Sequence, residues 1–362
     1  MTVMMRETTL NCDNRLAFKP QLVGAHERRH TDFVDQIIAM SVRGMSAPEM
    51  QRFLAQTHAL DVPVAQIARL TDVLSAQVSA WRHQPLQAMY PLIYFDTLSV
   101  QIKDQGVVCN KTAHLALGVR SDGSRDMLGV WIEHTNEVAF WKMVFNDLQT
   151  RGVRDILIAV TEGHAGLAQA LAAVFTATTL QTGLVRLIRE AHSHPNWNHR
   201  QALSAAIQSI CTAPDARAAQ AQLEAFAQGP LGRQFPSVPA AWRRDWNQLI
   251  SFFALPLQIR AMICDTDKMD GVHARLGRIV STRGHFCCDD EALRLIWQAL
   301  LPISADWHLA PRHWPVARVP FEMHYGVRMT GHAGPREEPP RGHNTCNPLR
   351  VNLPQQLWTV TG

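Results

Sequence analysis

The chain has 362 residues, of which 46% are apolar and 18% are charged. This length exceeds that of a typical single domain, so we expect two or three domains with a sizeable core. The net charge of +4, from 35 Lys and Arg against 31 Asp and Glu, permits a nucleic-acid partner without requiring one. No apolar run has the length of a membrane span, and residues 1–14 lack the apolar segment of a signal peptide, so we expect no membrane association.

The seven cysteines are scattered along the chain and form no Cys-x-x-Cys pair. An odd number of scattered cysteines argues against a disulfide framework or a structural zinc site, and it favours the reducing cytoplasm.

The N-terminal quarter is predicted to be an irregular arm over residues 1–30, followed by helices over residues 31–86. Gly44 should end the first helix, and Ser46-Ala47-Pro48-Glu49 should start the second as a capping box. Asp61-Val62-Pro63 should break it before a third.

Three helices with a short Gly-containing turn fit a helix-turn-helix, and a plain three-helix bundle fits the same pattern equally well. If the region binds double-stranded DNA, the side chains suited to base edges are Gln66, Arg69 and Gln77.

Residues 90–183 change character, because short apolar runs now alternate with turn signals. The predicted order is β-β-β-α-β-α-β, which is an α/β arrangement. The strands are predicted over residues 90–100, 107–120, 127–134, 155–160 and 178–182. The helices are predicted over residues 136–150 and 167–175, and Asn136 would cap the first of them. Such an order gives a mixed sheet with helices on both faces, and ligands gather beyond the carboxyl ends of its parallel strands.

Two acids stand where that sheet would bind a ligand. Asp96 interrupts the first apolar strand, and a buried carboxylate needs a partner. The alternative is an Asp that caps a turn at a strand end. Glu162 follows the fourth strand, and Gly163 allows a sharp turn beside it. If these strands are neighbours, the two carboxylates converge.

The remainder divides into three parts. Residues 184–260 are predicted to be a helical insertion, residues 261–326 to return to the α/β domain, and residues 327–362 to form a disordered tail.

Residues 261–326 contain a third acidic site and a basic helix. Asp267 and Asp270 are three residues apart and so share a helical face. The basic side chains that follow could hold DNA phosphates: Arg275, Arg278, Arg283 and His285. Three convergent carboxylates suit two divalent metal ions in phosphoryl transfer, with Mg²⁺ or Mn²⁺ as the hard cations that prefer oxygen ligands. Any chain with 31 acidic residues offers such triples, so this pattern is weak evidence by itself.

Several short motifs together resemble a Mutator-type bacterial insertion-sequence transposase of the DDE superfamily. They are Phe18-Lys19-Pro20, Arg43-Gly44-Met45-Ser46, Tyr94-Phe95-Asp96-Thr97-Leu98, Val160-Thr161-Glu162-Gly163, Ala274-Arg275-Leu276 and Thr282-Arg283-Gly284-His285-Phe286.

The resemblance implies a ribonuclease-H-like catalytic domain with a helical insertion, preceded by a helical DNA-binding region. It also implies catalysis by Asp96, Glu162 and Asp270 with two bound Mg²⁺ or Mn²⁺ ions. The partners would be the terminal repeats of the element and its target DNA, bound by a homo-oligomer in the bacterial cytoplasm at the nucleoid.

The chain departs from the family pattern at several positions. The second acid is usually Asp and here is Glu162, and the third is usually Glu in Asn-x-x-Glu-Ser and here is Asp270. The family's Cys-x-x-His falls on Gly183 and Arg186, and its usual ending is replaced from Val327. We therefore keep two hypotheses, an active transposase and a catalytically inactive DNA-binding relic, with a metal-dependent nuclease as a weaker third.

Overall fold

The computed structural model of the chain describes residues 25–134, 137–192, 196–265, 267–305, 307–310 and 313–331. Five strands form one mixed sheet in this part of the chain: β1 (Met89–Asp104), β2 (Val107–Val119), β3 (Arg125–Ile132), β4 (Asp155–Thr161) and β5 (Thr179–Thr182). The α/β fold class and the predicted strand order are thereby confirmed.

Sixteen helices accompany the sheet in the described residues. They are α1 (Ala25–Val42), α2 (Ala47–His58), α3 (Val64–Arg82), α4 (Glu137–Thr150), α5 (Leu167–Val174), α6 (Leu184–His192), α7 (Trp197–Cys211), α8 (Ala216–Gln228), α9 (Pro230–Gln234), α10 (Ser237–Arg244), α11 (Trp246–Phe253), α12 (Leu257–Cys264), α13 (Asp267–Arg283), α14 (Asp289–Ile303), α15 (Trp314–Tyr325) and α16 (Val327–Thr330). Residues 184–192 and 196–260 are therefore mostly helical as predicted, whereas the predicted cap of α4, Asn136, lies outside the described residues.

Strand β1 lies at the centre of the sheet, whose order is β3-β2-β1-β4-β5. It pairs antiparallel with β2 and parallel with β4, and β5 is parallel to β4. The first three strands are the meander expected from their short connections, and the helical crossover through α4 makes β4 parallel to β1.

The alternation of side chains along β1 divides the core into two layers. Ile93 and Phe95 pack with α4 and α5, while Tyr94 and Leu98 belong to the core on the opposite face, which includes residues of α13 and α14. Because alternate residues of a strand point to the same face, Asp96 shares the face of Tyr94 and Leu98.

The N-terminal helices begin earlier than the sequence predicts. Helix α1 starts at Ala25, so the predicted irregular structure is wrong for residues 25–30, whereas residues 1–24 lie outside the described part. The turn at Gly44, with φ of 83°, ends α1 as expected. The capping box is present, since Glu49 accepts hydrogen bonds from the Ser46 N–H and hydroxyl, both at 2.7 Å.

Helix α14 packs against the N-terminal helices. The Trp81 and Trp297 rings, from α3 and α14, stand 4.6 Å apart edge to face. Gln298 of α14 is buried, and its side-chain amide accepts from Ser41 Oγ at 3.2 Å and donates to Ser75 Oγ at 3.4 Å. The helices α1–α3 therefore share one core with the sheet domain.

The predicted disorder from Val327 onward is wrong for its first residues. Arg328 of α16 donates to the Asp155 carboxylate at 2.7 and 2.9 Å and to the carbonyls of Ile156 and Ala177. These contacts fix α16 to the start of β4, while residues 332–362 lie outside the described part. Among the described helices, none is both long and apolar enough to cross a membrane.

Candidate active site

Asp96 lies in the middle of β1 and is 2% exposed. It pairs with Leu115 of β2 in the register, so the alternative of a turn cap at a strand end is wrong. One carboxylate oxygen accepts the Thr97 N–H at 2.8 Å. The remaining acceptor capacity faces charged side chains from two helices.

Glu162 is brought beside Asp96 by the parallel register of β1 and β4. Phe95 pairs with Thr161, so the next residues along the two strands are Asp96 and Glu162. Gly163 then turns the chain away with φ of 106°, a conformation that favours glycine. The predicted convergence of these two acids is confirmed.

Asp270 arrives from the first turn of α13, on the other side of the insertion. The helix is held at its far end by Phe286, which exchanges backbone hydrogen bonds of 2.8 Å with Gln101 and Lys103 of β1. One turn after Asp270, His273 Nδ1 lies 3.3 Å from Asp96 Oδ2. Helix α13 thus places the Asp270 carboxylate and the His273 imidazole beside the central strand β1.

A single guanidinium joins the three acids. Arg189, from α6, contacts Asp96 through Nη1 and Nη2 at 3.1 and 3.2 Å. The same side chain reaches Asp270 from Nε at 2.9 Å and also bonds Glu162 through Nη1. The structure therefore places all three predicted site acids around one positive charge.

The charges of this site are interdependent. Burial raises the pKa of Asp96, but the contact with His273 and the charge of Arg189 outweigh it, so the pKa lies below its usual value. Burial raises the pKa of Glu162 above its usual value, although Arg189 opposes this. Burial lowers the pKa of Arg189, but the carboxylates outweigh that effect and raise it, which keeps the guanidinium charged.

His273 responds to the same carboxylate. Its contact with Asp96 raises the pKa of the imidazole, which favours the protonated form beside the buried acid. Asp96 is therefore compensated by two groups, Arg189 and His273.

The donor set suits a hard divalent cation, because three carboxylates converge from separate elements and already surround a cation. Within the described residues, however, no three Asp, Glu, His or Cys side chains stand in an arrangement that could hold a metal ion. The Arg189 guanidinium lies between the three carboxylates and contacts each of them. The three carboxylates are oxygen ligands of the kind that such a cation prefers, and in this structure they surround the Arg189 guanidinium.

Other acids near the site have partners of their own. The Asp265 carboxylate lies 3.4 Å from Arg125 Nη2, a side chain that is itself buried. Tyr94 donates to the Met262 carbonyl at 2.5 Å and so fixes the end of α12 against β1. The side chain of Asp267 lies outside the described part.

Arg189 and His273 were not predicted from the sequence. His273 had a signal, since it lies three residues after Asp270 on the predicted helix and so shares its face. Arg189 had none, because it is 93 positions from Asp96 in a stretch predicted only to be helical.

The residues predicted to bind DNA occupy different settings. Arg275 and Arg278 of α13 are exposed, as are His285 and, on α3, Arg69, whereas Gln66 is half-buried. Their contact with DNA stays a prediction.

Arg283 already has protein partners. It donates to Glu291 at 2.8 Å and to the Arg43 carbonyl at 3.2 Å, beside Gly44. A Cβ on Gly44 would lie 1.3 Å from Arg283 Nη1, so the glycine makes this contact possible. Arg283 therefore joins α13 and α14 to the turn after α1, and its DNA contact also stays a prediction.

Comparison with known proteins gives consistent matches. The sequence model described as "Transposase, Mutator family" matches residues 12–310. A transposase for insertion sequence element ISRM3 from Rhizobium meliloti is 38% identical over 321 residues, which cover 89% of this chain and 80% of that protein. A probable insertion sequence transposase from Corynebacterium diphtheriae is 33% identical over 81% of this chain and 85% of its own.

More distant matches agree in kind. The transposase for insertion sequence element IS1081 from Mycobacterium tuberculosis is 24% identical over 80% of this chain and 70% of its own. Among solved structures, a chain of a simian T-cell lymphotropic virus intasome complex matches 48% of this chain and 68% of its own, at 10% identity. Its TM-score of 0.19 carries no argument about the fold. The family model and the two nearer relatives together establish that this chain belongs to the Mutator family of insertion sequence transposases.

Proposed function

We propose that this transposase binds the ends of its own insertion element as a homo-oligomer and catalyses metal-dependent cleavage and transfer of DNA strands. The observation that carries the proposal is the meeting of Asp96, Glu162 and Asp270 around one cation. They come from a central strand, its parallel neighbour and a helix beyond the insertion. The ribonuclease-H-like nature of the domain belongs to this proposal. It is supported by the mixed five-stranded sheet, in which Asp96 and Glu162 lie side by side on the paired strands β1 and β4.

Asp96, Glu162 and Asp270 would hold the Mg²⁺ or Mn²⁺ ions. When bound, the ions neutralise charge on the reacting phosphate and activate the attacking oxygen. The protein's part is to hold the carboxylates at one place: Asp96 by a central strand, Glu162 by the parallel register, and Asp270 by a helix tied to β1 at its far end. His273 orients Asp96, and Arg275 and Arg278, exposed on the same helix as Asp270, hold the double-stranded DNA through its phosphates.

The test is strand cleavage and joining by the full chain, on double-stranded DNA that contains the element end, with Mg²⁺ or Mn²⁺. We expect products that depend on the cation, and none from Asp96→Asn. The matched control is Glu224→Gln, because Glu224 is exposed and pairs with Arg243 rather than with Arg189. Equal cleavage by Asp96→Asn and the unaltered chain would contradict the proposal.

The second candidate is a DNA-binding relic without catalysis. The observation that favours it is the placement of Arg189 at the centre of the acids, together with acids whose lengths differ from the family pattern. DNA binding without cleavage under any cation, by a chain that also binds no Mn²⁺, would support this alternative.

A further inference from the structure

Arg189 combines features that a simple structural ion pair does not need. It contacts three carboxylates that come from three separate elements, using all three of its nitrogens. We propose that Arg189 is an internal counter-ion that occupies the cation position until a divalent ion displaces it. This inference rests on the proposed function, because it concerns the same carboxylates.

The first step of the argument is the need for a positive charge. Asp96 is 2% exposed, and Glu162 and Asp270 are half-buried beside it. Carboxylates that share a site repel one another, and removing them from water is costly without a compensating charge. Arg189 supplies that charge to all three, so it keeps the acids together in the absence of metal.

The second step is that Arg189 and a metal ion exclude each other. The carboxylate oxygens that accept from the guanidinium are the ones that a metal ion would need as ligands. Metal binding is therefore in competition with Arg189. The apparent affinity for the metal is the intrinsic affinity multiplied by the fraction of molecules in which Arg189 has left the site.

The third step is that Arg189 can leave without moving the fold. Its side chain is 24% exposed, so part of the side chain already faces solvent. The arginine side chain has several rotatable bonds, and a change among staggered rotamers moves the charge while the backbone of α6 stays in place.

A neighbouring arginine provides the contrast. Arg186 lies one turn earlier on α6 and pairs with Asp245 and Glu190, which are not members of the acid cluster. The two arginines come from the same helix, so the contact of Arg189 with the cluster is specific to its position.

The experiment measures Mn²⁺ binding by calorimetry, and melting temperature with and without Mn²⁺, on the full chain. Arg189→Gln should melt lower than the unaltered protein in chelator. It should also bind Mn²⁺ about tenfold to a hundredfold more tightly, which corresponds to an Arg-out population of roughly 1–10% before the change. A purely structural arginine would give the first effect without the second.

Three further variants complete the design. Arg243→Gln removes an exposed charge that pairs with Glu224, and it should leave Mn²⁺ affinity unchanged. Arg189→Lys keeps the charge without the fork of nitrogens, so it should bind Mn²⁺ with intermediate affinity, and it serves if Arg189→Gln does not fold. Asp96→Asn should bind Mn²⁺ weakly whatever stands at position 189.

The outcomes separate this inference from the proposed function. Equal or weaker Mn²⁺ binding by the Arg189 variants would overturn the counter-ion role while leaving the metal site in place. If the unaltered chain and the Arg189 variants all fail to bind Mn²⁺, the counter-ion role and the proposed metal site are both refuted.

Discussion

Correcting the lengths of two acids should increase strand cleavage. The family resemblance expects Asp at the position of Glu162 and Glu at that of Asp270, so we predict a gain from Glu162→Asp combined with Asp270→Glu. The backbone cannot compensate for either length. Thr161 and Val272 are each 1% exposed and Met269 is 2% exposed, so the segments that carry both acids are packed in the core.

The magnitude follows from one methylene at each position. A carbon–carbon bond is about 1.5 Å long, and a misplacement of about 1 Å in an active site can cost roughly 10²-fold in rate. Each single correction should therefore gain at most about 10²-fold. The double variant should gain more than either single change, since the two residues share one site and their effects are coupled.

The assay is single-turnover cleavage of labelled element-end DNA at saturating Mn²⁺, which removes differences in metal loading. Asp96→Ala should abolish cleavage in every background. Cleavage by the unaltered chain at the rate of the double variant, or unchanged cleavage by Asp270→Ala, would refute the assignment of the third acid. No gain from the double variant would strengthen the hypothesis of a relic.

Further outcomes are expected from single contacts. Arg328→Gln should lower the free energy of unfolding by about 2 kcal/mol in a denaturant titration, because it removes charged hydrogen bonds to Asp155 and to backbone carbonyls. The control is Arg318→Gln, which breaks an exposed ion pair and should cost under about 0.5 kcal/mol in the same titration. Burial lowers the pKa of His114, so its contribution to stability is complete above the ordinary histidine pKa and is lost as the pH falls below that value. The melting temperature of His114→Gln should therefore fall less between pH 7.5 and 5 than that of the unaltered chain. An equal fall in both proteins would contradict this. Arg275→Ala and Arg278→Ala should each reduce the slope of log affinity for DNA against log salt by about one, and an unaltered slope would exclude them from the phosphate contacts.

The order of strands was predictable because each strand carries its own signal. The apolar run around Asp96 and the run before Glu162 are each bounded by turn residues, and the connections between them set which pairs are parallel. The start of α1 was missed because residues 26–32 contain no apolar side chain, so the helical periodicity first becomes visible at Phe33.

The acid site was predictable only in part. An acid inside an apolar strand signals a partner, which pointed to Asp96, and the parallel register then brought in Glu162. The partner itself could not be predicted, because Arg189 reaches the acids through the packing of α6 against the sheet, and that packing leaves no periodic signal around position 189. The contact of Arg189 with the acids is thus a finding of the structure, and the divalent cation stays a prediction.

The core shared by α14 and the N-terminal helices has a consequence for the reach of the protein on DNA. Gln298 ties α1 to α3, and Trp297 packs against Trp81, so α3 is not carried on a linker. The separation between the exposed side of α3 and Asp96 is then a fixed length of the molecule. If α3 contacts DNA as predicted and the acids cleave it as proposed, the cleavage point should lie a constant number of base pairs from the sequence that α3 contacts.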